Sequence, residues 1–195
     1  MSSTTKLLLL AILVFSIAGC GGYRSYANEE ADFGFYKRIG VLPFSNLSND
    51  KNASEKVTSS FLTEMLIGTG VEVAAMGDMV KSYRNVIKDD RSNLPDQITG
   101  SDAMALGKDA QVEGILVGAV RDYGMVRSGQ TDFPIVSIIV RLIDSQSGKV
   151  VWTYEITRKG GPKFPIFSFG EVHTVGDMTT IVCRKAVQSL AGVLK

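Results

Sequence analysis

Apolar and polar positions follow two different periods along this chain. Residues 53 to 67 carry apolar side chains at spacings of three and four, which predicts an amphipathic helix that ends at Gly68 and Gly70. The same spacing predicts a last helix from about residue 175 to residue 194. Residues 134 to 144 and 149 to 157 instead alternate between apolar and polar, as half-buried strands of an antiparallel sheet do.

Shorter signals complete the predicted order of elements. Three further strands are predicted at 37–44, at 71–75 as a short buried strand, and at 112–124. Two further helices are predicted, one capped by Asp78 and one opened by Thr99 or Ser101. The resulting order β-α-β-α-α-β-β-β-α favours an α/β (α+β) fold. It is expected to be a two-layer sandwich with a mixed sheet of about five strands, whose antiparallel C-terminal part is covered by helices.

The buried face of the strand at 149–157 can be predicted from its alternation. Four of its residues are expected to point the same way, into the core: Val150, Trp152, Tyr154 and Ile156. The opposite face carries the charged or hydroxylated residues Lys149, Thr153, Glu155 and Thr157, so it is expected to meet solvent.

The first apolar run of the chain predicts where the protein works. Residues 7 to 17 are apolar except for Ser16, too few to cross a bilayer as a helix but typical of a signal-peptide core. The next residues, Ile17-Ala18-Gly19-Cys20, resemble the bacterial lipoprotein box. This resemblance implies cleavage between Gly19 and Cys20, a diacylglycerol thioether on the Cys20 sulfur, and acylation, for example by palmitate, of its amine. An ordinary secretory signal with an incidental cysteine is the alternative.

A lipidated Cys20 would hold the protein on a membrane. Each buried methylene contributes about 0.8 kcal/mol, and two or three acyl chains suffice for stable anchoring. By the sorting habit of such lipoproteins, Gly21 after the cysteine implies the outer membrane, with the domain facing the periplasm. Residues 1–19 are therefore predicted to be the signal peptide, 20–36 a lipidated N-terminus and short tether, and 37–195 a single domain.

Composition excludes several classes of protein. Loss of residues 1–19 removes Lys6 and no acid, so the mature chain carries as many basic as acidic residues, and no nucleic-acid partner is expected. The chain has two cysteines, so Cys183 is left without a partner once Cys20 is lipidated, and a disulfide scaffold is excluded. The hydrophobic content of 45% is ample for one core.

No set of residues predicts catalysis. His173 is the single histidine, which excludes sites built on several imidazoles. Cys183 lies on the apolar side of the last helix and is interpreted as a small buried hydrophobe. The pattern from Ser48 to Lys51 matches the spacing of acyl-serine enzymes but lacks their other motifs, so we interpret it as chance. No catalytic residue, cofactor or metal is expected.

One segment is unusually apolar for a loop. The sequence KFPIFSFG at 163–170 carries four large apolar residues between glycines: Phe164, Ile166, Phe167 and Phe169. In one interpretation they cover the sheet edge and complete the core. In the other they form an exposed patch for a partner, a second copy or a lipid surface.

Two phrases of the sequence resemble a known family. RIGVLPFSNLS, followed by a helix and a short strand, and VEGILVGAV, followed by a strand and LIDSQSGKVVW, are similar to the family that includes CsgG, LpoB and the N-terminal domain of TolB. The resemblance covers residues 37 to 195. It implies a non-catalytic envelope domain that faces the periplasm and serves in assembly or in contacting another protein.

The chain departs from that family in two ways. Channel-forming members carry long amphipathic hairpins, whereas Tyr123 to Phe133 is interpreted here as a short polar loop, so a pore is not expected. Synthase activators use a long arm, whereas residues 21 to 36 reach at most about 50 to 60 Å.

Three functions are compatible with these features. The leading expectation is an outer-membrane lipoprotein that is a non-catalytic protein-binding or assembly module of an envelope complex and binds envelope proteins or itself. The alternatives are an LpoB-like regulator of cell-wall synthesis and a small-ligand-binding or hydrolytic envelope protein.

Overall fold

The computed structural model describes residues 22–88, 97–161 and 172–195. The strands are β1 (Tyr23–Ala27), β2 (Arg38–Val41), β3 (Ser45–Asn46), β4 (Glu72–Val73), β5 (Gly114–Ser128), β6 (Thr131–Asp144) and β7 (Val150–Lys159). The α-helices are α1 (Ala53–Gly68), α2 (Met76–Ile87), α3 (Gly100–Ala110) and α4 (Val175–Val193). No helix in these ranges is long and apolar enough to span a membrane.

The strands form one mixed sheet. Its order is β1-β7-β6-β5-β2-β4, with β3 paired to β5 beyond the end of β2. The three pairings among β1, β7, β6 and β5 are antiparallel, and those of β2 with β5, β2 with β4 and β3 with β5 are parallel. This confirms the predicted mixed sheet with an antiparallel C-terminal part.

The larger core lies between the sheet and the helices α1 and α4. The alternation of β6 places Val136, Ile138, Val140 and Leu142 in this core, as predicted. The two helices are also joined by Arg184 of α4, whose Nε and Nη2 each lie 3.2 Å from a carboxylate oxygen of Glu64 on α1. Over most of the antiparallel part of the sheet, these contacts make the two-layer α/β sandwich that was expected.

A smaller cluster lies on the other face of the sheet. Helices α2 and α3 pack there over β2, β5 and the end of β6, and they bury Met79, Leu106, Ile115 and Ile143. Helix α3 begins at Thr99, whose hydroxyl accepts the N–H of Asp102 at 3.1 Å, so Thr99 rather than Ser101 is the cap.

The tether expected over residues 21 to 36 is wrong for the described part of that segment. Residues 23–27 form the edge strand β1, paired with β7 from Tyr23 with Ile156 to Ala27 with Trp152. A 3-10 turn follows at Phe33–Phe35, and Tyr36 is buried. The sheet therefore begins at Tyr23, because backbone pairing with β7 compensates for the polar side chains of the strand.

The polar loop expected from Tyr123 to Phe133 is also wrong. Strands β5 and β6 pair without interruption from Asp122 with Ser137 to Ser128 with Thr131. They are joined by the two-residue turn Gly129-Gln130, in which Gly129 has a φ of +65°. Glycine at the first central position of such a turn matches the twist of the two strands.

Three smaller expectations also fail. The register between β6 and β7 shifts at a bulge, so Val151 enters the core and Val150 is exposed. Strand β4 spans two residues at the sheet edge, and neither is buried. Asp78 lies in the first turn of α2, whose N-cap residue is Ala75. The polar segment 89–96 lies outside the described residues.

Candidate functional site

The predicted site residues lie outside the described part of the chain. This holds for the anchor Cys20, for Gly19 at the cleavage point, and for the apolar positions Phe164, Ile166, Phe167 and Phe169. The described residues next to them show where the chain enters and leaves the described part of the sheet. The Gly22 carbonyl accepts the N–H of Thr157 at 3.4 Å, and the Gly160 N–H donates to the Pro134 carbonyl at 2.7 Å.

Strand β1 forms an open edge of the sheet. The bonds between Thr157 and Gly22 and between Asn28 and Val151 show that even-numbered residues of β1 bond to β7. The N–H and C=O groups of Tyr23, Ser25 and Ala27 therefore point away from β7, where no described strand pairs with them. Such a row of backbone groups is a template for pairing with another chain. We call residues 23–27 the β1 edge.

Two tyrosines make the β1 edge partly apolar. Tyr23 stacks on Tyr154 with ring centroids 5.6 Å apart, yet 60% of its surface is exposed. Tyr26 lies on the opposite face of the strand and is 53% exposed. Burial, with a smaller contribution from Tyr23, raises the pKa of Tyr154. Tyrosine is enriched in protein interfaces because its ring is apolar and its hydroxyl can bond.

The outer part of β5 and β6 forms a second exposed feature. The last residue that β6 pairs with β7 is Ile135, so residues 125–134, here called the hairpin tip, extend beyond β7. Met125 is paired with Pro134 and is 50% exposed, and Val126 is paired with Phe133 and is half-buried. Exposed Arg127 and Asp132 form the next pair. The tip thus combines apolar and charged side chains.

The opposite end of the sheet is held by a polar network. The Asp144 carboxylate accepts the N–H and hydroxyl of Ser147, both at 2.6 Å, and the hydroxyl of Tyr36 at 3.1 Å. Burial opposes ionisation of Asp144, but these hydrogen bonds outweigh it and hold its pKa below the ordinary value. Burial, reinforced by the Asp144 carboxylate, raises the pKa of Tyr36. The network fixes the β6–β7 turn and leaves no group positioned to react.

A groove of about 700 Å³ lies at the N-terminus of α1 and is lined partly by hydroxyl side chains. Two of those hydroxyls bond to the backbone of Phe44. Thr58 accepts the Phe44 N–H at 3.0 Å, and Ser54 donates to the Phe44 carbonyl. Ser48 donates to the side chain of Asn46 at 2.8 Å, which agrees with chance as the origin of its spacing to Lys51. Within residues 22–88, 97–161 and 172–195, no three metal-ligating side chains are grouped.

Cys183 and His173 lie where the sequence predicted. Cys183 is fully buried, with its Sγ 3.7 Å from the Val57 carbonyl, and burial raises its pKa to about 12. A thiol in this environment is a poor nucleophile at neutral pH, so the interpretation of Cys183 as a buried hydrophobe is confirmed. His173 is exposed and directly precedes Thr174, the cap of α4.

Sequence reasoning missed both exposed features. The β1 edge reads as YRSYA, which contains no apolar alternation to signal a strand. The hairpin tip did carry a signal, because Ser128-Gly129-Gln130-Thr131 places a glycine in a two-residue turn between segments that can pair. The polar residues around this turn favoured a loop instead.

Comparison with known proteins shows the fold. No family model and no curated protein matches the chain. Among solved structures, it is similar to the PelC dodecamer from Paraburkholderia phytofirmans, with a TM-score of 0.58 and 18% identity, covering 87% of this chain and 96% of that one. It is also similar to lipoprotein GNA1162 from Neisseria meningitidis, with a TM-score of 0.54 and 19% identity, covering 80% of this chain and 98% of that one. The chain therefore has a fold found in a solved bacterial lipoprotein.

A third solved structure is less similar to the chain. The C-terminal domain of LpoB from Salmonella enterica gives a TM-score of 0.46 and 10% identity, covering 67% of this chain and 87% of that one. The resemblance to the family of CsgG, LpoB and TolB stays a prediction.

Proposed function

We propose that this protein is a lipid-anchored, non-catalytic module of the bacterial cell envelope that acts by binding other proteins, including copies of itself. Cys20 carries the lipid, the outer membrane holds it, and the domain faces the periplasm. The lipoprotein box and the residue after Cys20 support this location.

The observation that carries the proposal is the β1 edge. It presents N–H and C=O groups on Tyr23, Ser25 and Ala27 that pair with no strand of the described residues, together with two exposed tyrosines. Natural sheets usually shield such an edge with charges, prolines or a covering element. Here one charged residue, Arg24, stands in the strand. An edge of this kind suits strand addition by a partner.

The solved structures of the same fold are compatible with self-association. PelC is described as a dodecamer, and its fold covers 87% of this chain. At 18% identity this likeness shows the fold alone, so the number of subunits is not carried over. It does make association of this domain with copies of itself a reasonable first experiment.

The two alternative functions have less support. A regulator that reaches across the envelope needs a long arm, but the sheet begins at Tyr23, three residues after the proposed anchor. An enzyme needs groups placed to react, and the groove hydroxyls of Ser54 and Thr58 are engaged by the Phe44 backbone.

Two proline variants test the role of the β1 edge. Ser25→Pro removes an N–H that points away from β7, whereas Arg24→Pro removes one that bonds to β7. Lipidated protein is purified in detergent, and its mass is measured by size exclusion with light scattering. We expect the wild type to form oligomers. Ser25→Pro should dissociate them and keep a melting temperature close to that of wild type.

Arg24→Pro serves as the control for damage to the fold. It should lower the melting temperature by about 2–4 °C for each kcal/mol of lost pairing. A wild-type protein that is monomeric and captures no envelope protein on crosslinking in cells would contradict the proposal. An oligomer that survives Ser25→Pro would show that the β1 edge does not mediate association.

A further inference from the structure

Three parts of the chain meet at one end of the sheet. Gly22 pairs with Thr157 near the end of β7, so the chain enters the fold there. The β5–β6 turn lies beyond the same end, because Thr157 is paired with Ser137 and β6 runs from the turn toward Ser137. The chain also leaves the described residues at Gly161 and returns at Val172, and both positions lie close to Gly160, Pro134 or Phe133.

The reach of the N-terminus limits how far this end can be from the anchor. Cys20 precedes Gly22 by two residues, which span at most about 7 Å. The turn at Gly129 lies some six residue pairs beyond the level of Thr157, which is about 20 Å along the strands. The hairpin tip therefore extends farther in the strand direction than the anchoring segment can.

We propose that the hairpin tip, residues 125–134, lies in the headgroup layer of the membrane that holds Cys20. The inference rests on the anchoring part of the proposed function. If Cys20 is bound to lipid, the short connection from Cys20 to Gly22 keeps this end of the sheet at the bilayer. The longest element at that end then meets the lipid surface first.

The side chains of the tip suit this location. Met125 is 50% exposed on one face of the hairpin, and the half-buried pair Val126 and Phe133 adds apolar surface on the other face. Charged groups lie at the margin: Arg127 is exposed and paired with exposed Asp132, and Nζ of Lys159 lies 5.8 Å from the centroid of the Phe133 ring. Apolar side chains at the acyl boundary with basic groups among the headgroups are typical of interfacial segments.

The tip is too short to do more than enter the interface. The pairs from Met125 with Pro134 to Ser128 with Thr131 extend about 10 Å, whereas the hydrocarbon core is about 30 Å thick. The proposed role is therefore to orient the domain on the bilayer. The β1 edge would then stand at a defined angle to the membrane surface.

Two variants of the lipidated full-length protein, each with one added cysteine, test the proposal. Met125→Cys places a thiol on the hairpin tip. Met104→Cys is the matched control, because Met104 is a methionine of similar exposure, 46%, on α3 near Ser145 at the other end of the sheet. Native Cys183 is fully buried and should not react. Each variant is labelled with an environment-sensitive fluorophore and reconstituted into vesicles of phosphatidylethanolamine and phosphatidylglycerol.

We expect the label at position 125 to shift its emission to the blue. It should lose at least about half of its intensity to a lipid that carries a spin label near the headgroup, whereas the label at position 104 should change little. Equal quenching at both positions, in protein that floats with the vesicles, would overturn the inference and leave the anchor intact. Protection of position 125 from an aqueous quencher without quenching by lipid would indicate a protein on the tip and would also overturn it.

The wild-type protein separates failure of the anchor from failure of the inference. A lipidated Cys20 cannot take up the thiol dye, and the protein floats with vesicles. Dye on Cys20, together with protein that stays at the bottom of the gradient, would refute the anchor in the proposed function, and the inference would fall with it.

Discussion

The two turns that join the long strands differ in how they are held. The β6–β7 turn is fixed by the Asp144 carboxylate and packs against α3, where the carbonyl oxygen of Gly100 lies 2.5 Å from a Cβ built on Gly148. The β5–β6 turn extends beyond β7, and a Cβ built on Gly129 would meet no described atom within 4 Å. The β6–β7 turn is therefore held by hydrogen bonds and packing, whereas Gly129 of the β5–β6 turn has no described neighbour that close.

Alanine substitution at the two turn glycines should give the largest difference in stability between the turns. Gly148 and Gly129 both have positive φ, +70° and +65°, so each alanine costs about 1–2 kcal/mol of backbone strain. Gly148→Ala also forces Cβ against the Gly100 backbone, which raises its total cost to about 3 kcal/mol. Thermal unfolding should show a drop of about 6–12 °C for Gly148→Ala and about 2–8 °C for Gly129→Ala. Equal drops would mean that α3 does not constrain the turn.

Asp144→Asn should weaken the fixed turn in a way that depends on pH. At neutral pH we expect a loss of about 1–2 kcal/mol, because charge-assisted hydrogen bonds become neutral ones. The folded pKa of Asp144 is lowered, so its contribution is fully present above the ordinary carboxyl pKa and is lost as the pH falls through the folded pKa.

The measurement is the melting temperature of wild type and Asp144→Asn from pH 7 down into the acid range. The difference between the two proteins should shrink as the pH falls below the ordinary carboxyl pKa. A difference that stays constant down to the lowest pH at which the protein folds would contradict an ionised Asp144 as its source.

The smallest expected contrast is between serines beside the two turns. Ser147→Ala removes a hydroxyl that donates to Asp144 at 2.6 Å and should cost about 1 kcal/mol. Ser128→Ala changes an exposed position of the hairpin tip and should stay within about 0.5 kcal/mol of wild type. Urea unfolding of the two variants measures both values. A larger loss for Ser128→Ala would show that the hairpin tip is held as firmly as the fixed turn.

Much of the fold could be predicted wherever one face of an element is buried. Helices α1 and α4 and the core face of β6 were predicted correctly because a single apolar face repeats with the period of the element. Strand β1 could not be predicted, since backbone bonds to β7 rather than its own side chains hold it in place. Val151 rather than Val150 enters the core because of a bulge, and the periodicity of the sequence does not indicate that bulge.

The features of the candidate site also differ in whether the sequence could predict them. The lipoprotein box at Cys20 and the buried, unreactive character of Cys183 follow from residue type and local pattern, so the amino-acid sequence by itself was enough to infer them. Two features could not be inferred in this way. They are the open β1 edge and the position of the hairpin tip at the same end of the sheet as Gly22. They depend on which strands pair and in what register, and residues far apart along the chain decide that pairing together.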